Sequence, residues 1–199
     1  LITSRAKGDV AGELAKQFSD LDCFMIDGTI PGYASWEEAT AAQPATPVAD
    51  ELEGQDMLYS SGTTGRPKGV RLPFVERPLG TPDPILTLAG GLYNMDAETI
   101  YISPAPLYHA APLRFNMSVL RMGATSIIME AFDPSEALRM IEKYRVSHGQ
   151  WVPTMFVRML KLPAAERTRF DVSSLEVAIH AVAPCPIPVK EQMIDWWGP

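Results

Sequence analysis

From Thr99 to Trp197 the chain alternates strand-like and helix-like segments, and this alternation limits the fold more than any other feature. Thr99–Ser103 carries Ile100 and Ile102 two apart, the period of a strand. Leu113, Met117 and Leu120 then recur at i, i+4 and i+7, predicting an amphipathic helix whose apolar stripe is buried and which stops at Gly123. Thr125–Met129 reads as a continuous apolar strand. At Asp133-Pro134-Ser135-Glu136 the pattern predicts a helix start. Asp133 caps the free N–H groups, Pro134 takes the first helical position, and Glu136 reaches back to the cap. Ala137, Leu138, Ile141 and Tyr144 supply its buried face. A strand at Val146–Val152, a helix opened by Pro153, a strand at Leu175–His180 and a last stripe of Val189, Met193, Trp196 and Trp197 complete the series. Such turn-taking predicts an α/β fold, a largely parallel sheet flanked by helices.

The N-terminal part is less regular. Leu14 and Phe18 suggest a helix of about two turns, and Cys23–Ile26 a short buried strand. Residues 28–55 form a Pro/Ala-rich connection with breakers at Pro31, Pro44 and Pro47, and a short helix at Trp36–Ala39.

Charge narrows the function. Seventeen Lys and Arg against 24 Asp and Glu give a net charge of −7, which argues against a nucleic-acid partner. A local anion site remains open, because backbone N–H groups bind phosphate whatever the net charge. No apolar run reaches the ~18 residues of a membrane span. Two cysteines, Cys23 and Cys185, suit neither a disulfide scaffold nor a Cys-based metal site, so a reducing cytoplasm is the expected compartment. The three histidines show no zinc-like spacing.

Chemistry concentrates in Tyr59-Ser60-Ser61-Gly62-Thr63-Thr64-Gly65-Arg66-Pro67-Lys68-Gly69-Val70. Gly62 and Gly65 flank two threonines, so the backbone can bend and turn successive N–H groups toward an anion. The hydroxyls of Ser60, Ser61, Thr63 and Thr64 can each donate to a phosphate oxygen, and Lys68 adds a mobile point charge. The bland alternative is a polar surface turn of the same residue types. Walker-type spacing is ruled out, since Gly62 and Gly65 are three apart and Gly69 follows Lys68.

This segment resembles the phosphate-binding signature of the adenylate-forming superfamily, which includes acyl-CoA synthetases, aryl-CoA ligases, luciferases and peptide-synthetase adenylation domains. Two further segments match in order. Pro106-Leu107-Tyr108-His109-Ala110-Ala111-Pro112 resembles the substrate-side motif, and His180-Ala181-Val182-Ala183-Pro184-Cys185-Pro186 resembles the turn that walls the acyl-adenylate pocket. The likeness is specific from Met57 to Pro199, with the general look of Tyr101 to Phe115 pointing to the fatty acyl-CoA synthetase branch.

The resemblance implies a two-step ligase reaction that uses ATP, Mg2+ and coenzyme A. It assigns phosphate contacts to Ser60, Ser61, Gly62, Thr63, Thr64, Gly65 and Lys68, with Ser60 also beside Mg2+. Lys68 and His109 are the implied catalytic residues, His109 orienting the substrate carboxylate; read without the resemblance, His109 is as readily a packed or capping residue. Ala181, Val182 and Ala183 are the implied pocket wall, with plain strand packing as the alternative. His148 reads as structural, and Phe156 with Met159 as either core or acyl tunnel.

Parts of the family pattern do not occur. The Mg2+-binding glutamate, the ribose-binding aspartate and the small C-terminal domain with its lysine all fall beyond Pro199, and Arg71-Leu72-Pro73-Phe74 replaces the Ser/Thr-His that often follows the loop. The expectation is therefore an interior segment, residues 1–199, of the N-terminal adenylation domain, inactive by itself. The parent would be a carboxylate–CoA ligase acting on a fatty acid. An aryl-acid ligase, a peptide-synthetase module and a non-catalytic nucleotide- or acyl-binding module are the alternatives. Exposed edges leave self-association as homo-oligomers open.

Overall fold

The computed structural model describes residues 1–18, 20–60, 65–181 and 183–199. They divide into two compact units, Leu1–Glu51 and Leu52–Pro199.

The first unit is built on a three-stranded parallel sheet of β1 (Ile2–Ser4), β2 (Phe24–Ile26) and β3 (Ala34–Ser35), in that order. The predicted helix around Leu14 is α1, Gly8–Gln17, and the one after Ser35 is α2, Trp36–Ala41. Ser35 starts α2 because its hydroxyl accepts the free Glu38 N–H at 3.2 Å. Ala11, Cys23, Met25 and Tyr33 make a small core, and the buried Tyr33 hydroxyl is satisfied by donating to the Ala11 carbonyl.

The second unit contains an antiparallel hairpin of β4 (Leu58–Ser60) and β5 (Lys68–Val70). It is followed by α3 (Pro84–Tyr93) and by a parallel four-stranded sheet. The strands are β6 (Ile100–Ser103), β7 (Thr125–Ile128), β8 (His148–Trp151) and β9 (Val177–His180), in the order β7-β6-β8-β9. The crossovers are α4 (Ala110–Arg121), α5 (Pro134–Tyr144), and α6 (Pro153–Leu160) with α7 (Ala164–Arg167); α8 (Ile187–Trp197) follows β9. None of the helices among the described residues is long and apolar enough to cross a membrane.

β6 shows why the sheet sits mid-layer. Tyr101 and Ile102 are both fully buried but belong to different clusters. Tyr101 packs with Phe115, Val119 and Ala89 of the α3/α4 side. Ile102 packs with Leu138, Ile141, Phe156, Met159 and Met193 of the α5/α6/α8 side. Successive side chains of a strand face opposite ways, so a strand buried on both sides needs both to be apolar. On β8, Gly149 permits close packing: a Cβ there would lie 2.8 Å from Ile102 Cγ2 and 3.0 Å from Trp151 Nε1.

Three expectations are corrected. Met117 and Leu120 of α4 are exposed, and the buried face is Pro112, Phe115, Asn116 and Val119. The stripe 113/117/120 is one helical face over, and Phe115 wins the core by stacking beside Tyr101. β7, found where expected, is an edge strand on which Ile128 is half exposed. Asp133 caps α5 through the Glu136 N–H, as expected, but the Glu136 carboxylate pairs forward with Arg139 at 2.5–2.6 Å instead of reaching back. Ala137, Leu138 and Ile141 are buried as predicted, whereas Tyr144 is partly exposed.

Candidate functional site

Ser60 and Lys68 stand at the two ends of the glycine-rich loop as cross-strand partners of the β4–β5 hairpin. Directly opposed residues of an antiparallel pair project to one face, with Cβ atoms about 5 Å apart. Their hydroxyl and ammonium groups therefore flank the loop on the same side, and both residues are exposed. Lys68 is the first residue of β5. On the other face Tyr59 opposes Gly69, and a Cβ on Gly69 would approach the Tyr59 ring to 3.0 Å. Gly65 has φ +78°, the left-handed region that glycine enters freely, and it turns the chain into β5. Ser61, Gly62, Thr63 and Thr64 lie outside the described residues, as does Val182.

A second group of residues gathers at the C-terminal edge of the parallel sheet. Strand order reverses between β6 and β8, and the chain leaves β6 for α4 on one face and β8 for α6 on the other. Open α/β sheets bind ligands in the crevice at such a point. His109 lies there, in the loop between β6 and α4. It is the N-cap residue of α4: its carbonyl accepts the Leu113 N–H at 3.1 Å, while its imidazole makes no capping bond and is exposed. The ring packs at 4.5 Å (between centroids) from that of Tyr108. Because the cap side chain is not engaged, the N–H groups of Ala110 and Ala111 at the start of α4 add a partial positive charge beside the imidazole.

The start of α4 is held by a polar core residue. Asn116 Nδ2 donates to Ser103 Oγ at 2.8 Å and to the Pro112 carbonyl at 2.7 Å, and its Oδ1 accepts from Ser126 Oγ. One buried amide thus ties α4 to β6 and β7. Ala181 follows β9 at the same sheet edge, its N–H donating to the Trp151 carbonyl at 3.2 Å, and Ala183 is exposed just beyond. The parallel topology thereby brings His109, Ala181 and Ala183 to one edge. His180 packs its ring edge-on to Phe156. Phe156 and Met159 are core residues of the α6 face. His148 is structural: its ring nitrogens sit 2.8 Å from Ser147 Oγ and from the Tyr93 carbonyl.

Sequence reasoning missed the charged residues around α4. Arg114 Nε donates to Asp56 Oδ2 at 3.0 Å, two residues before β4. Arg121 donates to Glu53 at 3.0 Å, to Asp83 at 3.2 Å and to the Thr81 carbonyl at 2.8 Å. The same segments border a cleft of about 470 Å³ with apolar walls from Leu72, Val75, Ile85 and Met117. The available signal is the spacing of Arg114 and Arg121, seven apart and so on one face of the same helix.

The family model described as AMP-binding enzyme matches residues 4–199. The chain is 30% identical over 170 residues to 4-coumarate:CoA ligase 1 of Petunia hybrida, covering 83% of this chain and 31% of that protein. It is 33% identical over 152 residues to the medium/long-chain-fatty-acid–CoA ligase FadD8 of Mycobacterium tuberculosis, covering 73% and 25%. The fold is that of the amide bond synthetase McbA from Marinactinospora thermotolerans, with a TM-score of 0.76 at 23% identity over the whole of this chain and 38% of that one. The chain therefore spans about a quarter to a third of the curated relatives it matches.

Proposed function

The chain belongs to the AMP-binding enzyme family, and from that premise we propose that it supplies the phosphate-binding side of an ATP-dependent carboxylate–CoA ligase. In this reading residues 1–199 are an interior part of the larger N-terminal adenylation domain, with 28–55 as a connecting stretch. The observation that carries the reading is the hairpin that sets Ser60 opposite Lys68 across a loop of glycines and hydroxyl residues.

The reaction joins two anions. A carboxylate oxygen attacks the α-phosphorus of ATP, the bond to the β-phosphate bridging oxygen breaks, and pyrophosphate leaves. The thiolate of coenzyme A then attacks the acyl carbon and AMP departs, the thiol proton going to solvent. Most of the barrier in the first step is electrostatic, so fixed donors aimed at the departing pyrophosphate lower it. Lys68 and the hydroxyls and N–H groups of Ser60, Ser61, Gly62, Thr63, Thr64 and Gly65 are assigned that work. His109 orients the attacking carboxylate at the start of α4, and Ala181, Val182 and Ala183 leave room for the acyl-adenylate.

Among the described residues no group of three or more His, Cys, Asp or Glu side chains could hold a metal ion. Mg2+ in this reading is carried on the triphosphate, with the Ser60 hydroxyl as the contribution of this segment. We assign a fatty acid as the substrate, supported by the similarity to FadD8 and by the small Ala110 and Ala111 at the start of α4. The petunia relative, named for 4-coumarate, supports an aryl acid as the second reading. Cys23 and Cys185 are both free thiols, which suits a cytoplasmic enzyme. Pyrophosphate release by the full-length protein, measured with ATP, CoA and a panel of acids, tests all of this. Octanoate and palmitate should outpace 4-coumarate and benzoate. Faster release with the aromatic acids would transfer the assignment to the aryl branch, and none with any acid would end the ligase reading.

A further inference from the structure

We propose that Arg114 and Arg121 are positioning residues, forming a two-rung ladder that sets where the phosphate-binding hairpin begins and aims it at the N-terminus of α4. The inference deepens the functional reading and rests on it for the ligand, but not for the ladder itself.

The rungs fit by length. Arg114 and Arg121 are seven residues apart on α4, about 10 Å along the axis at 1.5 Å per residue. Their partners Asp56 and Glu53 are three residues apart in a segment without helix or turn. Three residues at the ~3.1 Å rise and three-residue turn of polyproline II span about 9 Å and bring the first and last side chains to one side. One helix face and one strap thus match rung for rung, and a slip of one strap residue would part both pairs. The strap has further ties at its far end. Glu53 N–H donates to the Arg77 carbonyl at 2.9 Å, Glu53 Oε1 accepts the Gly80 N–H at 2.6 Å, and Leu52 bridges Pro78.

Direction follows from the pairing. Glu53 meets the C-terminal end of α4 and Asp56 the N-terminal half, so the strap runs antiparallel to the helix. His109 lies five residues before Arg114, about 7 Å further along the axis. Two residues of extended chain from Asp56 to Leu58 cover the same ~7 Å. A straight continuation of that heading carries Ser60, with Lys68 beside it, toward the end of the helix that His109 caps. Side chains of Arg114 and Asp56 are 36% and 23% exposed, and those of Arg121 and Glu53 are 25% and 13% exposed, so the rungs are partly shielded from solvent screening.

Hydrogen exchange on the full-length protein without nucleotide reads the ladder alone. Arg114→Gln and Arg121→Gln should each speed exchange of the hairpin amides at 58–60 and 68–70 by about tenfold or more, with β6, β8 and β9 unchanged. Arg114→Lys should restore part of the protection, and the exchanged pair Asp56→Arg with Arg114→Asp most of it. In pyrophosphate release, Arg114→Gln should raise the KM for ATP more than it lowers kcat. Unaltered hairpin exchange, or an equal rise throughout β6–β9, would overturn the proposal, as would failure of the exchanged pair to recover protection. Absence of triphosphate-dependent protection in the unaltered protein would instead strike the nucleotide reading and leave the ladder standing.

Discussion

Ser60 and Lys68 are paired across the β4–β5 hairpin, so the two ends of the glycine- and hydroxyl-rich segment are fixed at strand spacing and project to one face. A lysine held by a strand loses less freedom on meeting a phosphate than one on a free loop, because its backbone is already ordered. The partner residue adds a donor of different length and no charge.

Lys68→Ala should weaken binding of ATP or tripolyphosphate by about 10- to 100-fold, the loss of one charge-assisted hydrogen bond of roughly 1.5–3 kcal/mol. Its circular dichroism and melting temperature should be unchanged, since the side chain is exposed and makes no core contact. Arg in its place should recover part of the affinity. Calorimetric titration of each variant gives the result, and unchanged affinity in Lys68→Ala would take the lysine out of the site.

Gly149→Ala tests the central sheet. The added methyl would stand 2.8 Å from Ile102 Cγ2 and 3.0 Å from Trp151 Nε1, two groups that are themselves fully buried. Neither is the free end of a flexible side chain, so the strands must separate slightly. A loss of about 1–3 kcal/mol in urea unfolding is expected. A neutral result would show that β6 and β8 have slack.

Much of the second unit was legible because its strands and helices are separated by strong local signals. Asp133-Pro134 started α5, Pro153 opened α6 and Gly123, at φ +77°, followed the end of α4. The phase of α4 was not legible. Leu113, Met117 and Leu120 are as apolar as Phe115 and Val119, and only the docking of Phe115 beside Tyr101 decides which face is inside. The sequence pattern does not single out α3, although Asp83-Pro84 carries the same start signal as Asp133-Pro134; Gly90 and Gly91 in its second half weaken the helical pattern. In the candidate site, order and type single out the motif residues in the sequence. They do not single out the arginines of α4, since each acts through an acid distant in sequence, and such pairings depend on how the strap crosses the helix. His148 was placed as structural from its strand, and its two partners bear that out.

Asp83 has two tasks that substitution can separate. Its Oδ1 accepts the Ile85 and Leu86 N–H groups at 2.7 and 2.9 Å, capping α3, and its Oδ2 accepts from Arg121. Asp83→Ala should cost about 1–2 kcal/mol, the sum of a lost cap and a partly exposed ion pair. Asp83→Asn retains an acceptor for the cap and should lose less than half as much. Equal losses in urea unfolding for the two variants would mean that the ion pair, rather than the cap, holds the start of α3.

Acid stability should carry a contribution from Asp171. The Ser173 hydroxyl and N–H stabilise its carboxylate, and Arg145 adds a further bond at 2.7 Å, so its pKa lies below the ordinary 3.8. A depressed carboxylate pKa means that the folded chain binds its proton less readily than the unfolded chain. The contribution is therefore complete above the unfolded value, near 3.8, and is lost as pH falls through the lower folded value. Arg145 meanwhile sits at φ 54° as the C-cap of α5, a backbone conformation that a non-glycine residue holds only when its surroundings fix it. Asp171→Asn should lower the melting temperature at pH 7, and the gap to the unaltered chain should close progressively below about pH 4. A gap that stays constant from pH 7 to pH 3 would show that Asp171 acts through neutral hydrogen bonds alone, with its charge and Arg145 contributing nothing to the end of α5.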